Sequence, residues 1–335
     1  MMRKLRAGSV PALLALLLGV LLAAPASAVT AAPGAAAASY PGPGVVTGDT
    51  SVHDPSMVRA PDGTYYLFST HQGIEIRTST NRTSFTRDGS VLPGGATWAS
   101  AYGNDTDIWA PDVSYHNGIY WLYYAVSSFG SNHSAIGLAT SSTAKPGSWT
   151  DHGLVYATQT SSTFNAIDPG LTVDTSGRWW LSMGSFWSGI KMIQINPATG
   201  KQLSSNTTLY SIAERPSPDA EEASYIYPHG GYYYLFVSFD YCCRGVNSTY
   251  HIMVGRSTSP TGPYVDENGT AMMSGGGTQI LATHGNVIGP GGQTVMHDTD
   301  GDLLVYHYYA ANLNGTPELG LNYLDWASNG WPYAA

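Results

Sequence analysis

Charged side chains are scarce in this sequence of 335 residues: Asp, Glu, Lys and Arg together make up 11%, against roughly 25% in ordinary soluble domains. A helical bundle needs abundant Glu, Lys and Arg on its wet faces, so this scarcity argues against one. Basic residues are fewer than acidic ones, 14 against 23. The net charge of −9 offers no electrostatic footprint for a nucleic-acid backbone. Cysteine is reduced to one adjacent pair, Cys242 and Cys243. That excludes a disulfide-built scaffold, a CxxC redox motif and a cysteine zinc site. The pair reads either as a vicinal disulfide or as two small buried thiols. The longest apolar run, Ala12 to Ala24, is too short for a bilayer, which takes about 20 residues.

That run follows Arg3, Lys4 and Arg6 and precedes Ala26-Ser27-Ala28. A basic start, an apolar middle and a small-residue cleavage site form a secretory signal peptide, over 1–28. The protein is therefore expected outside the cell, neither on a membrane nor on nucleic acid. Residues 29–40, rich in Ala, Pro and Gly, read as a flexible lead-in, and 41–335 as one domain.

What the chain has in abundance is Gly (39), Tyr (23) and Trp (9), a mixture that favours strands and tight turns. It also repeats. A polar leader, an alternating run, a turn and an aromatic run recur from His53, Trp109, Ile167, Glu221 and Gly291. Each centre holds an Asp-Gly, Asn-Gly, Ser-Gly or Gly-Gly turn, which marks a β-hairpin. A weaker pair of runs follows each hairpin, such as IKMIQINPATGKQL and YHIMVGRSTSPTGPYVDENG. Four-stranded units repeated five times predict an all-β fold, a five-bladed β-propeller.

In a propeller the first strand of each blade lines the central channel, so the five leaders open on one face. At comparable points they offer Asp54, Asp112, Asp168, Glu222 and Gln293. Asp112, within Trp109-Ala110-Pro111-Asp112, reads as a structural residue of the repeat. Asp54, Asp168 and Glu222 at one mouth would repel, and their pKa values should be driven apart. One carboxyl kept protonated while another stays ionised suits glycoside hydrolysis.

At these residues the chain resembles glycoside hydrolase family 43, and within it the endo-α-1,5-L-arabinanases. The resemblance runs from about His53 to Tyr333. It rests on His53-Asp54-Pro55, Trp109-Ala110-Pro111-Asp112, Asn165-Ala166-Ile167-Asp168-Pro169, Gly184-Ser185-Phe186-Trp187-Ser188-Gly189 and Glu222-Ala223-Ser224. It implies an inverting enzyme with Asp54 as general base, Glu222 as general acid and Asp168 raising the acid's pKa and orienting it. Glu221 is a rival for the acid, but strand alternation sends neighbours to opposite sides, and the family motif selects Glu222. By the same resemblance Trp109 and Phe129 lie against sugar rings, and Asn165 and Ser185 stand near the cleaved residue. His53, which adjoins the base, is grouped with these substrate-binding residues, in a supporting rather than a catalytic role.

His307, in an aromatic strand, would by itself read as a core residue, since calcium prefers oxygen. The resemblance implies instead a largely hydrated Ca²⁺ held by it. The chain departs from many relatives at Gly289-Pro290-Gly291-Gly292-Gln293, where they place a histidine after Pro-Gly. The expected substrate is arabinan or arabino-oligosaccharide, and the expected state a monomer. Two other readings stay open: an exo-acting α-L-arabinofuranosidase or β-xylosidase with the same acids, and a sugar-binding propeller without catalysis.

Overall fold

In a computed structural model that describes residues 40–335, each aromatic repeat folds as an antiparallel hairpin and continues into two further strands. The leader over 1–28 lies outside the described residues. Blade 1 comprises Ser56–Arg59, Tyr65–Ser69, Glu75–Ser79 and Ser84–Ser90. Blade 2 comprises Trp109–His116, Ile119–Val126, Ala135–Ser141 and Thr150–Ala157. Blade 3 comprises Gly170–Val173, Trp179–Met183, Ile190–Asn196 and Tyr210–Ala213. Blade 4 comprises Glu221–His229, Tyr232–Phe239, His251–Ser257 and Thr278–Leu281. Blade 5 comprises Val287–Asp298, Gly301–Ala310, Thr316–Trp326 and Pro332–Ala334. The fold is a five-bladed β-propeller.

The scarcity of charge follows from how the blades stack. Alternate residues of a strand leave opposite faces of its sheet, and each blade is covered by a neighbour on both. In the second strand of blade 4, Tyr233, Leu235 and Val237 join Trp180 and Met192 of blade 3. Tyr234 and Phe236 between them join Leu304, Tyr306 and Trp331 of blade 5. Five such apolar clusters occupy the five seams. Each buried Leu, Ile or Phe in them contributes about 1.5–3 kcal/mol.

The seam between blades 5 and 1 closes the ring. Met57, Leu67 and Phe85 pack there on Val305 and Leu319. Arg82 donates to Asp298 and Asp300. The short strand Thr47–Gly48 pairs in parallel with Ser84–Phe85, and Leu319 N–H reaches back to Thr50 O at 2.9 Å.

Three sequence expectations shift. Tyr40, assigned to the flexible lead-in, is partly buried on the blade 4–5 cluster and meets His284. The outer strand of blade 3 is Tyr210–Ala213; Lys201–Gln202 forms only a short extra arm on the same neighbour. In blade 4, the segment Pro260–Gly269 gives only a bridge between Arg256 and Val265, and the outer strand comes after the Gly275–Gly277 turn. Pro260 and Pro263 have no N–H to donate to a ladder.

Candidate active site

Every inner strand is entered through a residue in the left-handed region: Asp54 (φ 46°), Ala110 (φ 45°), Asp168 (φ 54°), Ala223 (φ 56°) and Gly292 (φ 59°). In blades 2, 4 and 5 the pairing register slips at this point, skipping 110–111, 223–224 and 292–293. The kink carries the side chains around it out of the sheet's alternation and into the channel mouth. It also corrects the comparison of leaders. Asp54 and Asp168 are equivalent, but Glu222 lies one residue before the kink, Gln293 one after, and Asp112 two after. Asp112 is consequently 2% exposed below the mouth. There it accepts Leu171 N–H at 2.7 Å, and burial pushes its pKa up to about 7. Gln293 is also turned inward, accepting from Ser238 and donating to Ala223 O.

Asp54 is held in its ionised form. Its Oδ2 accepts Thr70 Oγ1 at 2.7 Å and faces His53 Nδ1 at 2.8 Å. Burial opposes ionisation, but His53 and the Thr70 hydroxyl together hold the carboxyl well below the usual range. His53 is itself clamped, with Nε2 2.8 Å from Tyr309 Oη and its ring stacked on His307 at 3.7 Å. With both ring nitrogens engaged, His53 lines the cleft as a brace of the Asp54 carboxylate rather than as a group free for a ligand.

Glu222 has the opposite environment. It is 8% exposed; Ser185 Oγ donates to Oε2 at 2.6 Å, and Tyr250 Oη donates to Oε1. Burial and the charge of Asp54 raise its pKa, outweighing the two donated hydrogen bonds that favour the carboxylate. Asp168 is pushed well above the carboxylate range by burial and by the charges of Glu222 and Asp54. Its Oδ2 accepts the N–H of Ala223 at 2.9 Å, tying blade 3 to the residue after the acid. Such a trio retains a proton at neutral pH while Asp54 stays charged. Glu221 points the other way, fully buried, with no hydrogen bond to either carboxylate oxygen, and burial pushes its pKa to about 8.

The three acids lie in a cleft of about 700 Å³ whose walls come from all five blades. His53, Trp109, Phe129, Asn165 and Ser185 all line it. Phe129 is 80% exposed on the loop between the second and third strands of blade 2, 5.2 Å from the Trp109 ring. Such a pair presents flat apolar area to a ligand. Asn165 is fixed by Ser134 Oγ, 2.6 Å from its Oδ1. Sequence reading missed Tyr250, Thr70 and Tyr309, which sit in ordinary-looking strand runs, and it left the cysteines undecided. Cys242 and Cys243 are joined as a vicinal disulfide that forms part of the cleft wall.

His307 is fully buried, and its Nε2 has no hydrogen-bond partner among the described residues. Burial holds its pKa well below the usual value, leaving the imidazole neutral. Asp54 N–H donates to its Nδ1 at 3.1 Å, which leaves the proton of the neutral ring on Nε2, so holding a cation there requires that proton to leave Nε2. One imidazole suits calcium only if the remaining positions are water.

Residues 45–332 match the family model described as glycosyl hydrolases family 43. The sequence is 47% identical to the extracellular endo-α-(1→5)-L-arabinanase 1 of Bacillus subtilis, over 84% of this chain and 87% of that one. The structure superposes on a family 43 endo-arabinanase from Bacillus licheniformis with a TM-score of 0.81 at 46% identity, covering 86% of this chain and 99% of the other. It superposes equally, at TM-score 0.81 and 39% identity, on an exo-1,5-α-L-arabinanase from a bovine ruminal metagenomic library, covering 86% and 98%.

Proposed function

This chain belongs to glycosyl hydrolase family 43, and from that premise we propose that it cleaves internal α-1,5-L-arabinofuranosyl linkages of arabinan and arabino-oligosaccharides, outside the cell and with inversion. One observation carries the chemistry: Asp54, whose carboxyl is held below the usual range, and Glu222, whose carboxyl is pushed above it, share one cleft. Glu222 gives its proton to the glycosidic oxygen as the bond to the anomeric carbon breaks. Asp54, with Oδ2 occupied by Thr70 and His53, takes a proton through Oδ1 from the water attacking the opposite face. Asp168 and Glu222 are poorly placed to be ionised together, so the pair keeps a proton available, and Asp168 anchors Ala223 beside the acid. Trp109 and Phe129 supply the apolar surface on which a sugar ring rests.

Calcium belongs to the same reading. His307 would hold it through Nε2 only with the ring proton displaced from that atom, since Nδ1 accepts the Asp54 N–H; when bound the ion would supply a fixed positive charge that offsets repulsion among the acids. Secretion is supported by the leader, by the extracellular relative and by the Cys242–Cys243 disulfide, which persists in an oxidising compartment.

Proton NMR of linear arabino-oligosaccharide hydrolysis tests the mechanism: the first-formed reducing end should be the β-anomer, and an α-anomer would overturn inversion. Product sizing on debranched arabinan tests the mode. Mixed oligosaccharides in the first minutes are expected, whereas monosaccharide or one fixed short product from the start would favour exo action, the mode of the ruminal relative. Asp54→Ala and Glu222→Gln should each lose about 10²–10⁴-fold in kcat; a wild-type protein that binds arabinan without cleaving it would sink the enzymatic reading.

A further inference from the structure

Part of the cleft wall is a loop, 240–249, between the second and third strands of blade 4. It contains the vicinal disulfide and three left-handed residues, Asp240 (φ 67°), Cys243 (φ 65°) and Gly245 (φ 54°). Non-glycine residues in that region persist where the surroundings over-determine them, and they concentrate at functional sites. Here the determinants are visible. Asp240 N–H reaches Ala220 O at 3.0 Å, Thr249 N–H reaches Tyr241 O at 2.9 Å, and Arg244 N–H reaches Ser248 Oγ at 3.0 Å. The disulfide adds a covalent constraint, because it closes a small ring that contains the Cys242–Cys243 peptide bond. Rotation of that peptide is blocked, and the direction of the Cys243 N–H is fixed with it.

That N–H is aimed at the hydroxyl of Tyr309 in blade 5, at 2.7 Å. Tyr309 Oη stands 2.8 Å from His53 Nε2, and His53 Nδ1 stands 2.8 Å from Asp54 Oδ2. A continuous line of hydrogen bonds therefore runs from the disulfide, through blades 5 and 1, to the base. A neutral His53 with its proton on Nδ1 accepts the Tyr309 hydrogen at Nε2, and a protonated His53 donates at both ends; the line is unbroken in either state. Every member has a defined partner, and the partners come from three different blades.

We infer that the Cys242–Cys243 disulfide and Tyr309 are a positioning unit for the general base, and that opening the disulfide lowers turnover. The inference rests on the assignment of Asp54 as base. Neither group touches the reacting atoms; they act by holding His53, and through it the carboxylate, in one orientation. Misplacing a catalytic group by about 1 Å costs up to about 10²-fold, so loss of the unit should act on kcat more than on KM.

Kinetics on a linear arabino-oligosaccharide test this with three proteins besides wild type: Tyr309→Phe, the double variant Cys242→Ser with Cys243→Ser, and their combination. Each is expected to lose about tenfold or more in kcat while KM changes by less than about twofold. The combination should lose no more than the worse of its parts, since groups in one network are non-additive. Treatment with excess dithiol supplies a second measurement on protein already folded. The dithiol is oxidised to its cyclic disulfide while the two cysteine sulfurs take up two electrons and two protons. Wild-type kcat should fall to the level of the cysteine variant and return on reoxidation, whereas the cysteine variant and Tyr309→Phe should barely respond. Full kcat in both separate variants, multiplying losses in the combination, or indifference of the wild type to complete reduction would each overturn the inference. An inactive wild type would instead remove the assignment of the base itself.

Discussion

Tyr250 donates its hydroxyl hydrogen to Oε1 of Glu222. The tyrosine stands just ahead of the third strand of blade 4 and is almost fully buried. Room for its ring comes from Gly291 in blade 5, where a β-carbon would collide with it. The tyrosine ring takes up the space beside Gly291. The acid is therefore gripped from two sides, by Ser185 of blade 3 and Tyr250 of blade 4.

Both donors favour the charged form of Glu222, so removing one should raise a pKa that burial has already raised. In Tyr250→Phe the alkaline limb of the kcat/KM profile should move to higher pH, because Glu222 must be protonated to act. A limb that stays in place or moves to lower pH would contradict this account of the acid.

Gly292 tests the packing around the base. Its φ of 59° suits glycine, and an added β-carbon would lie 2.6 Å from Asp54 Oδ1 and 2.7 Å from His307 Nδ1. Gly292→Ala should lose roughly 10²-fold in kcat by displacing the carboxylate. It should also lose about 1–2 kcal/mol of stability from the backbone conformation alone. Kinetics and urea unfolding would show both, and an alanine variant with wild-type turnover would mean that Asp54 tolerates displacement.

Glu221 should tie stability to pH. Its folded pKa, near 8, lies above the unfolded value of 4.5. Between those values the native state holds a proton that the unfolded chain releases, so stability falls as pH rises across this window. Glu221→Gln removes that dependence. The Tm of the variant minus that of wild type should grow from pH 5 to pH 8, and a constant difference would refute the assignment.

Metal removal separates the role of His307 from that of the acids. Dialysis of the wild type against a calcium chelator should lower its Tm, and restored calcium should recover it. His307→Ala should already have the lower Tm and respond to neither treatment. An identical response in the two proteins would place the ion elsewhere.

The five hairpins were legible because their signals are local. A turn glycine with positive φ, such as Gly63 or Gly118, and an aromatic run with few charges mark each one without reference to the rest of the chain. The acids Asp54, Asp168 and Glu222 stood out for the same reason that charge is scarce: sheets buried on both faces exclude it, so the remaining carboxylates are few. Asp112 and Gln293 were aligned with them only because the kink at the head of each strand is invisible in composition. Ala110 and Ala223 occupy it as readily as Gly292 does, although nothing about alanine announces a left-handed residue.

The amino-acid sequence by itself thus determined the architecture and the identity of the acids, since both follow from periodicity and from which residue types occur at all. Tertiary structure alone decided how each carboxyl is held, Asp54 below the usual range and Glu222 above it. Those properties come from Thr70, His53, Tyr309 and Tyr250, which arrive from different blades. Their approach depends on strand register, on bulges and on the space left by Gly291 and Gly292. A hydrogen bond between residues more than 200 positions apart, such as that of His53 with Tyr309, exists only once the ring has closed.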